Sequence, residues 1–597
     1  MESITPGSDI KIRSLHALLD DIQLVNGTKN TECDKNYVTK RYNQEGLSFL
    51  TVTLPLLGSA LDSALRSGSF NCPQNFKRYR RSALPAFTHG LLLRIFNLDG
   101  SLVLKPDLAA ISELRQIYYM FYKYVTDFSK RQLAAAEEKF KSTDASLPDI
   151  NNIDFSSEIG SVLKLAKGFV KTLFADFDPF SGTPVHGPGI VATGEKPHEK
   201  RLFTVKYRRV HEQWPYYRWL YVNATHLLDC VRTYRARTVE EVGTNKVLFV
   251  PKDSRGPRTI ACEPLVYQFL QGGLRRSLYE YIESHSLTKG RINFTDQGIN
   301  QQLAYQSSKT GRHATVDMKD ASDRVSNSLV EYLFEDTKLL KPMQALRTPF
   351  SLLPSGEVVP LKKFAAMGSA LCFPIEAVVF FSIIRAVQLY YDLDTSLYVY
   401  GDDIICDPRV IDFVLPIFDA IGLVINLKKT SSTGLFRESC GSEFYDGHDI
   451  SYIKCRTLDV TDPGNAVSVV SFCNLIFDRG YYNLSRVLES HIRKNKALKH
   501  IPTGYKDSPY ICLYSTRGDN PNHFKVSNLK WDKRYQYFKR CVPTLQGTSY
   551  DVESNNIDEE YAEYYRKVTQ GWHPWFVPGS YVKRKVKLVW RWVQVNL

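Results

Sequence analysis

The spacing of hydrophobic and polar positions changes along the chain, and the changes mark its organisation. Residues 1–45 are polar and lightly patterned, and a more apolar stretch follows over 47–65. Residues 107–140 carry a helical pattern, Ala-rich at 134–136. Residues 141–158, with Ser, Asp, Asn and Pro148, read as a linker or exposed loop. A 3.6-residue period predicts an amphipathic helix over 160–175, with Val162, Leu165, Phe169 and Leu173 on its apolar face and Lys164, Lys167 and Lys171 elsewhere. After the Gly/Pro-rich loop at 186–189 the pattern becomes mixed. Short apolar runs at 247–250 and 314–317 predict strands, and runs at 397–400 and 404–406 predict two strands around a tight turn. Between them, 373–391 is almost wholly apolar with Pro374 in a plausible first turn, which predicts a buried helix. Beyond 455 the chain reads as helical and then irregular. An acidic patch at 551–563 precedes an alternating basic strand at 582–588.

Composition sets bounds on this picture. A chain of 597 residues is long enough for about three or four domain-sized units and a large core. Apolar residues make up 43% and charged residues 23%, which excludes a disordered, collagen-like or coiled-coil chain. The net charge is +14, so the expected partner is a polyanion, nucleic acid before membrane. Thirty-five Tyr, 32 Phe and seven Trp beside that surplus suit RNA, whose unstacked bases lie on aromatic faces, although a basic enzyme with a Tyr-rich core has the same composition. The polar start gives no reason to expect secretion. The apolar run 373–387 is interrupted by Glu376 and Arg385 and the run 467–477 is short, so no membrane span is expected. Eleven Cys without a CxxC pair read as reduced thiols, and neither a Walker loop nor an HExxH motif occurs.

The strongest chemical signal is Tyr400-Gly401-Asp402-Asp403 between two strand-like runs. Gly401 permits a sharp turn, and the polar centre then sits at a hairpin tip. Neighbouring carboxylates raise each other's pKa, and a divalent cation removes that penalty. Asp317 ends its own short strand; if that strand pairs beside the hairpin, Asp317 meets Asp402 across the sheet. Lys252, Arg255 and Arg258 lie on a loop after the 247–250 strand and suit phosphate oxygens. A solvated turn and a solvated basic loop are the plain alternatives for each feature taken singly.

In series, these blocks resemble the right-hand RNA-directed RNA polymerases, and more closely the replicase catalytic subunit of levivirus-type positive-strand RNA bacteriophages. The resemblance rests on Thr315-Val316-Asp317 with Ala321-Ser322-Asp323, on Met367-Gly368, and on Tyr400-Gly401-Asp402-Asp403-Ile404-Ile405. Val250-Pro251-Lys252, Cys262-Glu263-Pro264, 296–301 and 436–441 extend it, over roughly 245–455 in all. It implies an α+β fold with fingers, a palm whose antiparallel sheet carries the Gly-Asp-Asp hairpin, and a thumb. The corresponding division is 1–244 (N-terminal region and fingers), 245–310 (fingers, with the loop that admits the nucleotide), 311–455 (palm, catalytic core about 303–435) and 456–597 (thumb and C-terminal region).

The resemblance further implies two Mg2+ ions, with Mn2+ as a substitute, held by Asp317, Asp402 and Asp403, and RNA-templated nucleotidyl transfer that releases pyrophosphate. Lys252, Arg255, Arg258, Asp323, Gly368, Ser369 and Glu376 would contact the ribonucleoside triphosphate, Asp323 through the ribose 2′-hydroxyl. Cys372 stands where many such polymerases carry Thr and reads more simply as packing. Lys429 is a candidate to protonate the leaving pyrophosphate. Template and product RNA would meet the basic clusters Lys77, Arg78, Arg80, Arg81 and Lys583, Arg584, Lys585, Lys587. Trp572, Trp575, Trp590 and Trp592 are candidates to stack bases or to support the first nucleotide. Expected partners are single-stranded RNA, host elongation factors Tu and Ts and a host RNA-binding ribosomal protein, in the cytoplasm of the bacterial host and with no membrane. A reverse transcriptase shares the paired aspartates, and an RNA-binding virion protein shares the charge. Asp323 and Gly401 weigh against the first, and metal-dependent incorporation separates the second.

Overall fold

The computed structural model describes residues 9–26, 31–187, 189–196, 199–200, 203–221, 223–461, 463–495, 498–499, 501, 503–504, 506, 512–515, 529–553 and 580–595. These form a mixed α and β fold around two large hydrophobic cores.

The first core draws on residues 150–425. At its centre lies the helix Cys372–Tyr390, in which 15 of 19 residues are buried. Its apolarity, enough by length and composition to cross a bilayer, is absorbed by the protein interior. The helices Glu158–Leu173, Leu265–Ser284, Asn327–Phe334 and Pro408–Ala420 surround it. On one side it backs a three-stranded antiparallel sheet ordered Ala314–Asp317, Asp403–Cys406, Leu397–Tyr400. Nearby, the hairpin Thr244–Asp253/Gly256–Cys262 extends into a four-stranded sheet through Phe350–Leu352 and Val358–Pro360.

The second core joins distant parts of the chain. Residues 12–124 pack with 436–513, so the N-terminal helices and the helices Pro463–Asp478 and Tyr482–Lys494 bury one another. Arginines tie the segments of the second core to one another and to the first. Arg115, completely buried, bridges Asp62 and Glu443 and donates from Nε to the Ile450 carbonyl at 3.1 Å. Arg66 reaches from the helix Leu54–Ser67 to Ser431 Oγ (2.8 Å) and the Lys428 carbonyl (2.7 Å). Buried Arg437 donates to the His313 carbonyl at 2.6 Å, next to the start of the carboxylate sheet.

Three patterning expectations need correction. The lightly patterned start forms the helices Ile10–Asn26 and Thr31–Glu45. The first of these buries Ile12, Leu15, Leu18, Leu19 and Ile22 as a narrow stripe among polar residues. The 107–140 segment is two helices, Leu108–Tyr119 and Lys130–Ala145, each with an N-capping side chain, Asp107 and Ser129. The helix Glu158–Leu173 buries Val162, Leu163, Ala166, Val170 and Leu173, whereas Leu165 faces outward at 40% exposure. The stripe is rotated from the expected one because neighbours sit on two sides of it, Cys372–Tyr390 and Asn327–Phe334.

Candidate active site

The sheet register brings the acidic residues together. Asp317 lies opposite Asp403, and Tyr400 lies opposite Asp403 on the other side, so Gly401 and Asp402 form a two-residue turn at the strand ends. Gly401 adopts φ +59°, and a Cβ there would lie 2.0 Å from Phe373 Cε2. Only glycine fits both the backbone and the ring. The segment after the helix Pro408–Ala420 returns along the other edge of Ala314–Asp317, through bridges Met318↔Ile425 and Thr315↔Ser431. That return delivers Asn426 and Lys429 to Asp317. Asn426 Nδ2 donates to Asp317 Oδ2 at 2.8 Å, and Lys429 Nζ donates to Oδ1 at 3.3 Å.

Charge is concentrated here at a cost. Asp402 keeps an exposed tip but is ringed by protein, and desolvation together with the neighbouring Asp317 carboxylate raises its pKa; Lys429 and Arg258 act in the opposite sense. Desolvation and the Asp402 charge push Asp403 up to about 7, while its Oδ2 accepts the Cys440 N–H at 3.2 Å. A cation between Asp317 and Asp402 would relieve this repulsion. Among the described residues, no cluster of three His, Cys, Asp or Glu side chains forms a ready metal cage. Two carboxylates suit a hard cation that takes its remaining oxygens from phosphate and water, as Mg2+ does.

A cationic wall faces the carboxylates. It is built on the hairpin Thr244–Asp253/Gly256–Cys262, whose register breaks between Val250 and Asp253. Arg255 is committed within the turn. Its Nε and Nη2 fork onto Asp253 at 2.9 and 2.6 Å, and its guanidinium lies 4.0 Å over the Tyr122 ring and bonds the Tyr122 hydroxyl. It therefore braces the turn. Lys252 remains available, and desolvation and the cations Arg258, Arg255 and Lys429 lower its pKa. Lys123 approaches the same place from the N-terminal side, with Nζ 3.7 Å from Asp253 Oδ2. Desolvation, with Arg255, Lys252 and Lys429 nearby, brings it down to about 8. Lys429 is shifted the other way: desolvation opposes the rise, and the Asp317 carboxylate outweighs it.

A third group lines the side nearest the central helix. Asp323 sits on the short helical turn Ala321–Arg324 and accepts a hydrogen bond from Lys363 Nζ at 2.8 Å. Glu376 is buried in the helix Cys372–Tyr390 with Cys372 Sγ 3.8 Å from its Oε2. Desolvation and then the Asp402 carboxylate hold Glu376 well above the ordinary carboxyl range. Gly368 takes φ +125° and touches the hairpin Thr244–Asp253/Gly256–Cys262 so closely that a Cβ would lie 2.2 Å from the Ala261 carbonyl oxygen. Ser369 is buried beside it and accepts the Leu371 N–H at 3.3 Å.

Of the residues singled out from sequence, the structure links Asp317, Asp402, Asp403, Lys429, Lys252, Arg258, Asp323 and Glu376 in one chain of interacting groups, with Gly368 against Ala261 and Ser369 next to it. Arg255 faces inward to Asp253. Lys77, Arg78, Arg80 and Arg81 form an exposed loop anchored by buried Phe76. Lys583, Arg584, Lys585, Lys587 and Trp590 lie on the strand Ser580–Val595, which pairs antiparallel with Tyr537–Glu553. Trp592, on the same strand, is exposed with Lys530 Nζ 5.1 Å from its ring. Trp572 and Trp575 lie outside the described residues. Sequence reasoning missed Lys123, Tyr122, Lys363 and Asn426. The tandem Tyr122-Lys123 is an aromatic–basic pair of the kind that marked other candidates; Lys363 carries no such signal.

Comparison with known proteins gives consistent likenesses. A family described as "RNA replicase, beta-chain" matches residues 123–474. The RNA-directed RNA polymerase subunit beta of Escherichia virus Qbeta is 34% identical over 282 residues, 45% of this chain and 45% of that protein. The RNA-directed RNA polymerase beta chain of Escherichia phage MS2 is 32% identical over 315 residues, 51% of this chain and 54% of that protein. The beta chain of Enterobacteria phage GA is 26% identical over 406 residues, 64% and 73% of the two chains. The matched stretch spans about half the length of the Qbeta and MS2 proteins. A solved structure described as "RdRp complex" superposes with a TM-score of 0.40 at 11% identity, over 76% of this chain and 46% of that one. That likeness is too distant to build on.

Proposed function

Because the chain belongs to the RNA replicase beta-chain family, we propose that it is an RNA-directed RNA polymerase that replicates and transcribes a bacteriophage genome from ribonucleoside triphosphates, releasing pyrophosphate. The observation that carries this reading is the apposition of Asp317 and the Asp402–Asp403 turn on paired strands, with Lys252, Arg258, Lys123 and Lys429 ranged beside them. A hydroxyl nucleophile, a polyphosphate and hard cations all find complementary groups there.

The residues divide the work by chemistry. Asp317 and Asp402 would hold two Mg2+ ions, for which Mn2+ can substitute, and Asp403 acts from beside them through its bond to Cys440. When bound, the ions lower the pKa of the 3′-hydroxyl and neutralise the leaving phosphate oxygens. Lys252, Arg258 and Lys123 bind and orient the triphosphate. Lys429, kept protonated by Asp317, carries a proton at Nζ that can pass to the leaving pyrophosphate. Asp323 faces the ribose, with Glu376 beside it on the helix Cys372–Tyr390. Asn426 holds the Asp317 carboxylate in place.

In right-hand terms the carboxylate sheet is the palm, within 311–455. The hairpin of 244–262 belongs to the fingers, and the thumb follows 455, sharing its core with the N-terminal helices. Template and product RNA would run over the basic loop Lys77–Arg81 and the strand bearing Lys583–Lys587. Elongation factors Tu and Ts and an RNA-binding ribosomal protein are candidate partners in the bacterial cytoplasm. The test is incorporation of labelled ribonucleotide by purified chain on a defined RNA. Activity should require Mg2+ or Mn2+, and Asp402→Asn should lower it by at least 10²-fold. Wild-type synthesis by Asp402→Asn would refute the assignment.

A further inference from the structure

Lys363 is completely buried, yet it lies in no helix or strand and carries a charge. Its ammonium donates to Asp323 Oδ1 at 2.8 Å and lies 4.0 Å from Asp144 Oδ1. It also rests 3.6 Å from the centre of the Phe140 ring. Asp144 is occupied mainly by the backbone, accepting the N–H groups of Lys362 and Lys363 at 2.9 and 3.0 Å. The ammonium is thus sandwiched between an aromatic face and two carboxylates, which compensates its desolvation. The outer carboxylate, Asp323, is partly open, with 26% of its side chain exposed. Among the described residues no donor is bonded to its Oδ2. Asp323 lies within electrostatic reach of Cys372 and Glu376, and Glu376 in turn within reach of Asp402.

Phe140 and Asp144 both come from the helix Lys130–Ala145. The same helix reaches the cationic hairpin, where Gln132 Nε2 donates to the Ser254 carbonyl at 2.8 Å at its tip. One helix therefore touches both that hairpin and the Lys363–Asp323 pair.

We propose that Lys363 is a positioning residue for sugar selection: it ties down one oxygen of Asp323 and leaves the other to accept a hydrogen bond from the ribose 2′-hydroxyl. The inference rests on the polymerase reading above, in which Asp323 faces the ribose. Its physical basis is that a fixed, partly desolvated acceptor discriminates strongly against a substrate lacking the matching hydroxyl, whereas a mobile carboxylate can turn to water.

The test is single-nucleotide kcat/KM for a ribonucleotide and the matching 2′-deoxyribonucleotide, on the same RNA, for wild type, Lys363→Met, Asp323→Asn and the double variant. Lys363→Met should reduce the ribose-to-deoxyribose ratio by at least tenfold. Asp323→Asn should do the same, and the double variant should lose little more than either. A merely structural role would lower both substrates alike and leave the ratio unchanged. Should Lys363→Met fail to fold, Phe140→Leu, which removes the aromatic bed and keeps the charge, should still lower the ratio several-fold. A wild-type ratio in folded Lys363→Met or Phe140→Leu, or additive losses in the double variant, would overturn the proposal. A wild-type chain that incorporates neither nucleotide would overturn the polymerase reading itself, and this inference with it.

Discussion

Replacing Gly401 with Ala tests whether the site depends on where its tight turn is held. Two costs can be read from the structure. The residue sits at φ +59°, where an L side chain costs about 1–2 kcal/mol. The new Cβ would also lie 2.0 Å from Phe373 Cε2, about 1.5 Å short of an ordinary carbon–carbon contact. Phe373 cannot yield freely, because its ring packs edge-on against Tyr400 and Phe294 at 5.5 and 5.8 Å. Overpacking of this kind costs about 1–3 kcal/mol, so the local total is about 2–5 kcal/mol. The turn can escape only by moving outward, and it carries Asp402 with it. An ångström of displacement at a reacting centre is worth about 10²-fold in rate. The measurement pairs thermal unfolding with single-nucleotide incorporation at saturating Mg2+. Gly401→Ala should lose about 10²-fold in rate while the far-ultraviolet circular dichroism stays native. Adding Phe373→Leu deletes the two ring atoms nearest the new methyl group and should restore part of the rate, leaving the backbone cost. An unchanged rate in the single variant would refute the reasoning, as would a double variant no faster than the single one.

Other variants probe the surrounding charges. Lys123→Gln should raise the nucleotide KM about tenfold at pH 7 with little change in kcat, the loss of one charge-assisted contact. In the wild type, KM should also climb above pH 8, because Lys123 is brought down to about 8 and is cationic only below that; steady-state kinetics from pH 7 to 9 checks both points. Buried Glu263 is pushed up to about 7 by desolvation, so the native state holds its proton more tightly than the unfolded chain does. Its contribution to stability is complete below about pH 4.5, declines between 4.5 and 7, and is then constant, a span of about 3 kcal/mol. Glu263→Gln should therefore gain thermal stability over wild type at pH 8 and lose that advantage towards pH 5. Arg115→Met would strand Asp62 and Glu443 and should cost about 3–5 kcal/mol in urea unfolding, most of it regained with Asp62→Asn and Glu443→Gln.

Where local rules suffice, the sequence and the structure agree closely. The strand Ala314–Asp317 and the hairpin strands Leu397–Tyr400 and Asp403–Cys406 follow from short apolar runs and a glycine turn, and the buried helix Cys372–Tyr390 follows from unbroken apolarity. The strands are neighbours as expected, but the register sets Asp317 opposite Asp403, and Asp402, expected there, lies in the turn beyond the strand ends. What the chain conceals is set by distant partners. The shared core of 12–124 with 436–513 joins segments that lie more than 300 residues apart, and no window of sequence reports that. Nor does a window report which cations remain free. Lys252, Arg255 and Arg258 look equivalent in a basic loop. The bulge beyond Val250 places Asp253 where Arg255 can fork onto it, and the ring of Tyr122 closes over the pair. Lys363 is the converse case. It is one more lysine beside Lys362, yet the helix Lys130–Ala145 buries it against Phe140 and turns it onto Asp323. A cation forked onto an internal carboxylate and covered by a ring, as Arg255 is, has fewer donors left for phosphate, so the charge offered to a polyanion is less than the count of basic residues implies. Such pairing instead fixes the acid beside it, as the Lys363 ammonium does for one oxygen of Asp323.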